Sequence, residues 1–150
     1  MRTRSLLVPA VLAAAAVGYA GVSSAASPAW TVEHYYTSET WSSFADIGKK
    51  DNGGPGDIYT SQQSLRSLQG KTVGVVNGFG VNLHKPYVFF HWTASTANGT
   101  LTIESAINLT HPGASYPIAG GTGRYADARG TVTISDAGKN RSLAVVRYER

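Results

Sequence analysis

The chain has no cysteine among its 150 residues. That excludes a thiol nucleophile, a thiolate metal site and any disulfide. Charge is scarce too, at 15% of residues, while 42% are hydrophobic, which excludes a disordered chain. The formal charge of +4 includes Arg2 and Arg4 at the N-terminus; without them 11 basic residues face 9 acidic ones, a net of +2. That balance gives no clustered basic face, so no nucleic-acid partner is expected. The four histidines, His34, His84, His91 and His111, show neither H-x3-H nor H-E-x-x-H spacing, so no metal site is expected. There is no G-x-S-x-G elbow and no phosphate-binding P-loop. Gly121 to Ala126 fits the loose dinucleotide pattern G-x-G-x-x-A, but the strand-like TVTIS follows where a helix should. No window carries the period of a long amphipathic helix.

The N-terminus reads as an export signal. Arg2 and Arg4 form a short positive region, residues 6–22 are an Ala-rich apolar run, and Ser24-Ala25-Ala26 is a small-residue cleavage site. The run is short for a membrane anchor and is interrupted by Pro9, Gly18 and Gly21. Residues 1–26 are therefore expected to be removed by a Sec-type route. Residues 27–150 remain as one secreted domain with no stable membrane insertion. A domain of that size buries roughly two-thirds of its unfolded surface and stands without disulfides or metal.

From Trp30 onward the period is that of strands. Residues 30–41 (WTVEHYYTSETW), 57–65, 71–79 (KTVGVVNGF), 87–93 (YVFFHWT), 101–109 (LTIESAINL), 116–119, 130–135 (GTVTIS) and 142–148 (SLAVVRY) are β-forming and separated by Gly, Asn and Pro. Asn98-Gly99 is a two-residue type I′ hairpin signal. Seven or eight short strands imply an all-β sandwich or barrel, and the in-strand glycines Gly74, Gly78 and Gly80 favour the barrel. The glycine-rich stretch 48–56 reads as a loop at a rim.

Three features can carry chemistry. Arg129, in GGTGRYADARG, reads either as an electrophile for an anionic or carbonyl oxygen or as half of a structural ion pair. Asp46, Asp57 and Asp127 are its candidate partners. Glu104 sits in an apolar strand and reads first as a solvent-facing carboxylate. The aromatic set Trp30, Tyr35, Tyr36, Trp41, Tyr87, Phe89, Phe90 and Trp92 contains core and can contain a ligand wall. His91, between Phe90 and Trp92, reads first as a satisfied strand histidine.

Three segments resemble the allene oxide cyclase-like and dirigent-like barrel family in its bacterial exported form. They are Phe44-Ala-Asp46-Ile-Gly with Pro55-Gly-Asp57-Ile-Tyr59-Thr, then Gly70-Lys-Thr-Val-Gly74-Val-Val-Asn-Gly78-Phe, then Ile118-Ala-Gly-Gly-Thr-Gly-Arg-Tyr125-Ala-Asp-Ala-Arg129-Gly-Thr-Val. The resemblance implies an eight-stranded antiparallel β-barrel, a possible homotrimer, no cofactor, and a cavity for a small hydrophobic or aromatic molecule. It implies ring closure or stereochemical guidance, an isomerase or cyclase if catalytic. The rivals are a ligand carrier and a filled structural or interaction barrel. Arg129 matches the arginine of the family's A-R-G block and Asp46 the acid ending the first long strand; these are the candidate catalytic residues. Asp57, Tyr59, Tyr125, Glu104, Phe89 and His91 are the candidate ligand-binding residues. Many exported relatives carry cysteines where this chain has Phe79-Gly80 and His91-Trp92, so any disulfide of theirs is absent.

Overall fold

Alternation of inward and outward side chains builds every strand of this protein. The computed structural model describes residues 29–47, 53–110 and 115–150. The export segment 1–26, most of the glycine loop at 48–52 and the turn at His111 lie outside the described residues.

Eight strands follow in chain order: β1 (Thr31–Ala45), β2 (Ile58–Arg66), β3 (Thr72–Asn82), β4 (Tyr87–Thr96), β5 (Gly99–Asn108), β6 (Ser115–Gly121), β7 (Arg129–Asp136) and β8 (Ser142–Glu149). Each pairs antiparallel with its neighbour, and β8 returns to β1, closing the barrel. Closure leaves no free sheet edge among the described residues. The long β1 serves two partners: residues 31–37 pair with β8, and residues 36–45 pair with β2 across a register shift between Glu39 and Trp41. One bulge lets a 15-residue strand bend from one side of the barrel to the other.

The inner faces are fixed by what they pack against. On β8 the inward set is Ser142, Ala144, Val146 and Tyr148, with Arg147 outward and exposed. On β4 it is Val88, Phe90, Trp92 and Ala94. Gly78 and Gly80 of β3 lie opposite Trp92 and Phe90. A Cβ at Gly78 would collide with the Trp92 ring, and one at Gly80 would come within 2.7 Å of Phe90 Cε1. These glycines therefore give β4 aromatic rings a floor to lie on, besides easing strand bending. The well-packed core gathers on the β5–β8 side, around Leu101, Ile103, Tyr116, Val132, Val146 and Tyr148.

One turn differs from the sequence expectation. Thr96 pairs with Gly99, so the β4–β5 hairpin turns at Ala97 and Asn98, one residue early, and neither has a positive φ. Gly99 is required for another reason: a Cβ there would strike the Thr122 carbonyl of the loop crossing above it. Left-handed backbone appears instead at Gly138 (φ 68), Lys139 (φ 55) and Asn140 (φ 58), in the loop that joins β7 to β8. Gly123–Tyr125 forms one 3-10 turn followed by β7, so the dinucleotide-like pattern is a turn and not the start of a helix.

Candidate functional site

The barrel interior is not filled. A cavity of about 230 Å3 runs between the packed β5–β8 side and the glycine-bearing β3. Its wall is mainly apolar, with Leu65, Val76, Trp92, Ala94, Leu101, Ile103, Val132, Ile134, Ala144 and Val146. Thr37, Gln63, Thr96 and Ser142 add polar atoms, and Tyr35 and Tyr125 add two phenols. The volume lies between the ~150 Å3 that takes benzene and the ~300 Å3 at which drug-sized pockets begin. It suits a compact one- or two-ring molecule or a short folded chain.

The two phenols belong to a network at the end of the barrel where β1 starts and β8 finishes. Tyr35 donates its hydroxyl to Glu33 Oε2 at 2.7 Å, and Tyr125 donates to the same oxygen at 2.9 Å. Tyr148 donates to Glu33 Oε1 at 3.1 Å, and Arg124 Nη2 lies 2.6 Å from that oxygen. Arg124 also donates through Nε to the Tyr148 hydroxyl at 3.2 Å. The Tyr35 and Tyr125 oxygens stand 3.3 Å apart. Strand alternation places Glu33 and Tyr35 on one face of β1, Tyr148 comes from the end of β8, and the 3-10 turn swings Arg124 and Tyr125 across the barrel end. Tyr148 is fully buried, and its ring meets Tyr125 edge-on at 5.7 Å. Burial is the main force raising the Tyr35 and Tyr125 phenols above the ordinary tyrosine range. The Tyr125 hydroxyl adds to the rise at Tyr35, and Glu33 adds to it at both. Both stay protonated.

Of the residues singled out in the sequence, Tyr35 and Trp92 of the aromatic set and Tyr125 lie on the cavity wall. The others do not gather there. Arg129 does not enter the barrel: Val132 and Ile134 take the inner face of β7, and Arg129 falls on the outer set and is exposed. Asp46 is exposed just past the end of β1. Asp57 is buried, at 1% exposure, but as a loop clamp: it accepts the Ile47 N–H at 2.8 Å and the Gly53 N–H at 2.9 Å. Tyr59 donates to exposed Glu39. Burial and then this bond raise the Tyr59 phenol, and the bond lowers the Glu39 carboxyl. Phe89, His91 and Glu104 face outward, because Phe90 and Trp92 take the inner positions of β4. His91 Nδ1 lies 2.7 Å from Glu104 Oε1, and its ring stacks on Phe79 at 5.3 Å. That pair is the satisfied strand histidine and the solvent-facing carboxylate that alternation suggests.

The residues that sequence reasoning missed are Glu33, Arg124 and Tyr148. One signal was present. In SLAVVRY the charged Arg147 marks the outer face, which puts Tyr148 inside. Nothing equivalent marks β1, where both faces carry aromatic and polar residues.

Solved structures share this fold. One is a pyocyanin demethylase, 24% identical, covering 78% of this chain and 99% of its own, with a TM-score of 0.68. A second is AbnU, an exo-specific intermolecular Diels-Alderase, 13% identical, covering 83% and 99%, with a TM-score of 0.67. A third is the Diels-Alderase AbmU from Streptomyces koyangensis, 18% identical, covering 83% and 70%, with a TM-score of 0.66. At these identities the likeness is one of fold. No curated protein sequence matches the chain. Residues 37–146 match the allene oxide cyclase barrel like domain, and with the closed eight-stranded barrel in place the chain belongs to that family.

Proposed function

We propose that this protein holds a small hydrophobic or aromatic molecule in its barrel and folds it for ring closure, without a cofactor. The observation that carries the reading is the cavity of about 230 Å3 whose apolar wall ends at two protonated phenols. Among the described residues its lining includes no carboxylate, histidine or lysine, so it offers shape and hydrogen bonding more than proton transfer. Confinement suits a cyclisation whose barrier is largely conformational, where a held geometry supplies up to about 7–11 kcal/mol. Fold-mates named as Diels-Alderases support that class of reaction. The same lining also suits a carrier that releases its ligand unchanged.

Export by residues 1–26 and assembly as a homotrimer belong to the proposal. Arg2, Arg4 and the Ala-rich run support the first, and family resemblance supports the second. The test is native mass spectrometry of protein purified from culture medium, followed by denaturation of the same sample. A stoichiometric polyene, phenol or acyl compound is expected. Incubating the protein with the linear precursor of that compound then separates cyclase from carrier. Protein with nothing bound, and no uptake from a host metabolite extract, overturns the reading.

A further inference from the structure

The protons of the Glu33 network are fully committed. A carboxylate offers about four lone-pair sites. Tyr35 and Tyr125 fill those of Oε2, and Tyr148 and Arg124 fill those of Oε1. The cavity-lining phenols have one hydroxyl proton each, and their oxygens stand 3.3 Å apart, in a contact where either could be the donor. Whether a phenol donates to Glu33 or to the other phenol, both protons stay inside the cluster. Towards a ligand the phenols therefore offer lone pairs and no free proton. A ligand oxygen that can only accept, such as a ketone or ether, must displace a charge-assisted Tyr–Glu bond to be satisfied there.

From this geometry we infer that the ligand carries an O–H or N–H donor at the end that meets Tyr35 and Tyr125, and that this phenol pair selects for it. The inference rests on the reading of the cavity as a ligand site and adds the polarity of the ligand. Glu33, Tyr35 and Tyr148 lie outside residues 37–146, the stretch that carries the family match, while Arg124 and Tyr125 lie within it. Glu33, Arg124 and Tyr148 act as positioning residues, because they orient the phenol protons away from the ligand.

The test uses two probes of one bicyclic skeleton, 1-indanol, which donates and accepts, and 1-indanone, which only accepts. Isothermal titration of the mature protein measures both. The expected result is that 1-indanol binds about tenfold more tightly, the worth of one neutral hydrogen bond. In Tyr35→Phe/Tyr125→Phe the alcohol should fall to the level of the ketone while the ketone changes little, with circular dichroism checking the fold. The wild-type comparison stands even if that variant fails to fold. Equal binding of the two probes, or tighter binding of the ketone, overturns the inference and leaves the cavity reading intact. Binding of neither probe overturns both.

Discussion

Glu33 is the side chain on which most of this barrel end depends. It is largely enclosed and receives four donors, three of them phenols. Its ion pair with Arg124 adds less than the 2.6 Å separation suggests, because the guanidinium side is 44% exposed and is screened by water. The stakes lie in the phenols. Glu33→Gln replaces one acceptor oxygen with an NH2 that faces donors and cannot satisfy them. Each stranded buried donor costs about 1–3 kcal/mol, so a loss of roughly 2–4 kcal/mol is expected. Thermal unfolding by circular dichroism should show a midpoint lower by roughly 10 °C, and an unchanged midpoint would remove the network from the list of stabilising features. The same phenols set the alkaline limit. Tyr35 and Tyr125 hold their protons more tightly folded than unfolded, because burial disfavours the phenolate. Their contribution is present in full below the ordinary tyrosine value of about 10 and is lost as pH rises beyond it. Urea midpoints measured from pH 8 to 11 should be flat and then fall. In Tyr35→Phe the fall should be shallower.

At the scale of the element, β3 and β4 form one unit in which glycine and aromatic positions are matched across the ladder. Trp92 lies over Gly78 and also meets Phe90 at 4.9 Å and Tyr116 edge-on at 5.7 Å. A Cβ at Gly78 must push that ring off its neighbours, so Gly78→Ala should cost about 1–3 kcal/mol by overpacking. The displaced ring should also narrow the cavity it lines. Trp30 and Trp41 are about half exposed, so Trp92 dominates the near-ultraviolet dichroism, and loss of that signal checks the prediction. Strand existence was legible because alternation and turn residues are local properties. Residues 87–93 and 142–148 announce β4 and β8 with no knowledge of their neighbours. The β4–β5 turn was misplaced by one residue for a non-local reason: Gly99 is kept small by Thr122, which is distant in sequence. The place of Asp57 was not legible for a similar reason. Its acidity suggested chemistry, yet its two backbone bonds tie the β1–β2 loop to the start of β2.

For the molecule as a whole, closure decides which half of each strand becomes site and which becomes surface. That parity was not legible. In YVFFHWT both faces are apolar or aromatic, and a shift of one residue exchanges Phe90 and Trp92 for Phe89 and His91. The block GGTGRYADARG holds two arginines, and only the tertiary turn shows that Arg124 reaches Glu33, while among the described residues Arg129 is paired with no carboxylate. Closure also gives a way to ask whether the cavity is kept open for use. Ala144 is buried on β8, opposite Tyr35 and next to the packed core, and lines the cavity. Ala144→Leu extends an apolar side chain into that space and removes little else. If the cavity is free volume, the variant should gain about 0.5–2 kcal/mol, as cavity-filling changes do. It should also lose 1-indanol binding in the same titration. Gain of stability with loss of binding means the barrel forgoes packing to keep room for a ligand. A loss of about 1–3 kcal/mol, the ordinary cost of overpacking, would mean that the interior has already closed around its own side chains.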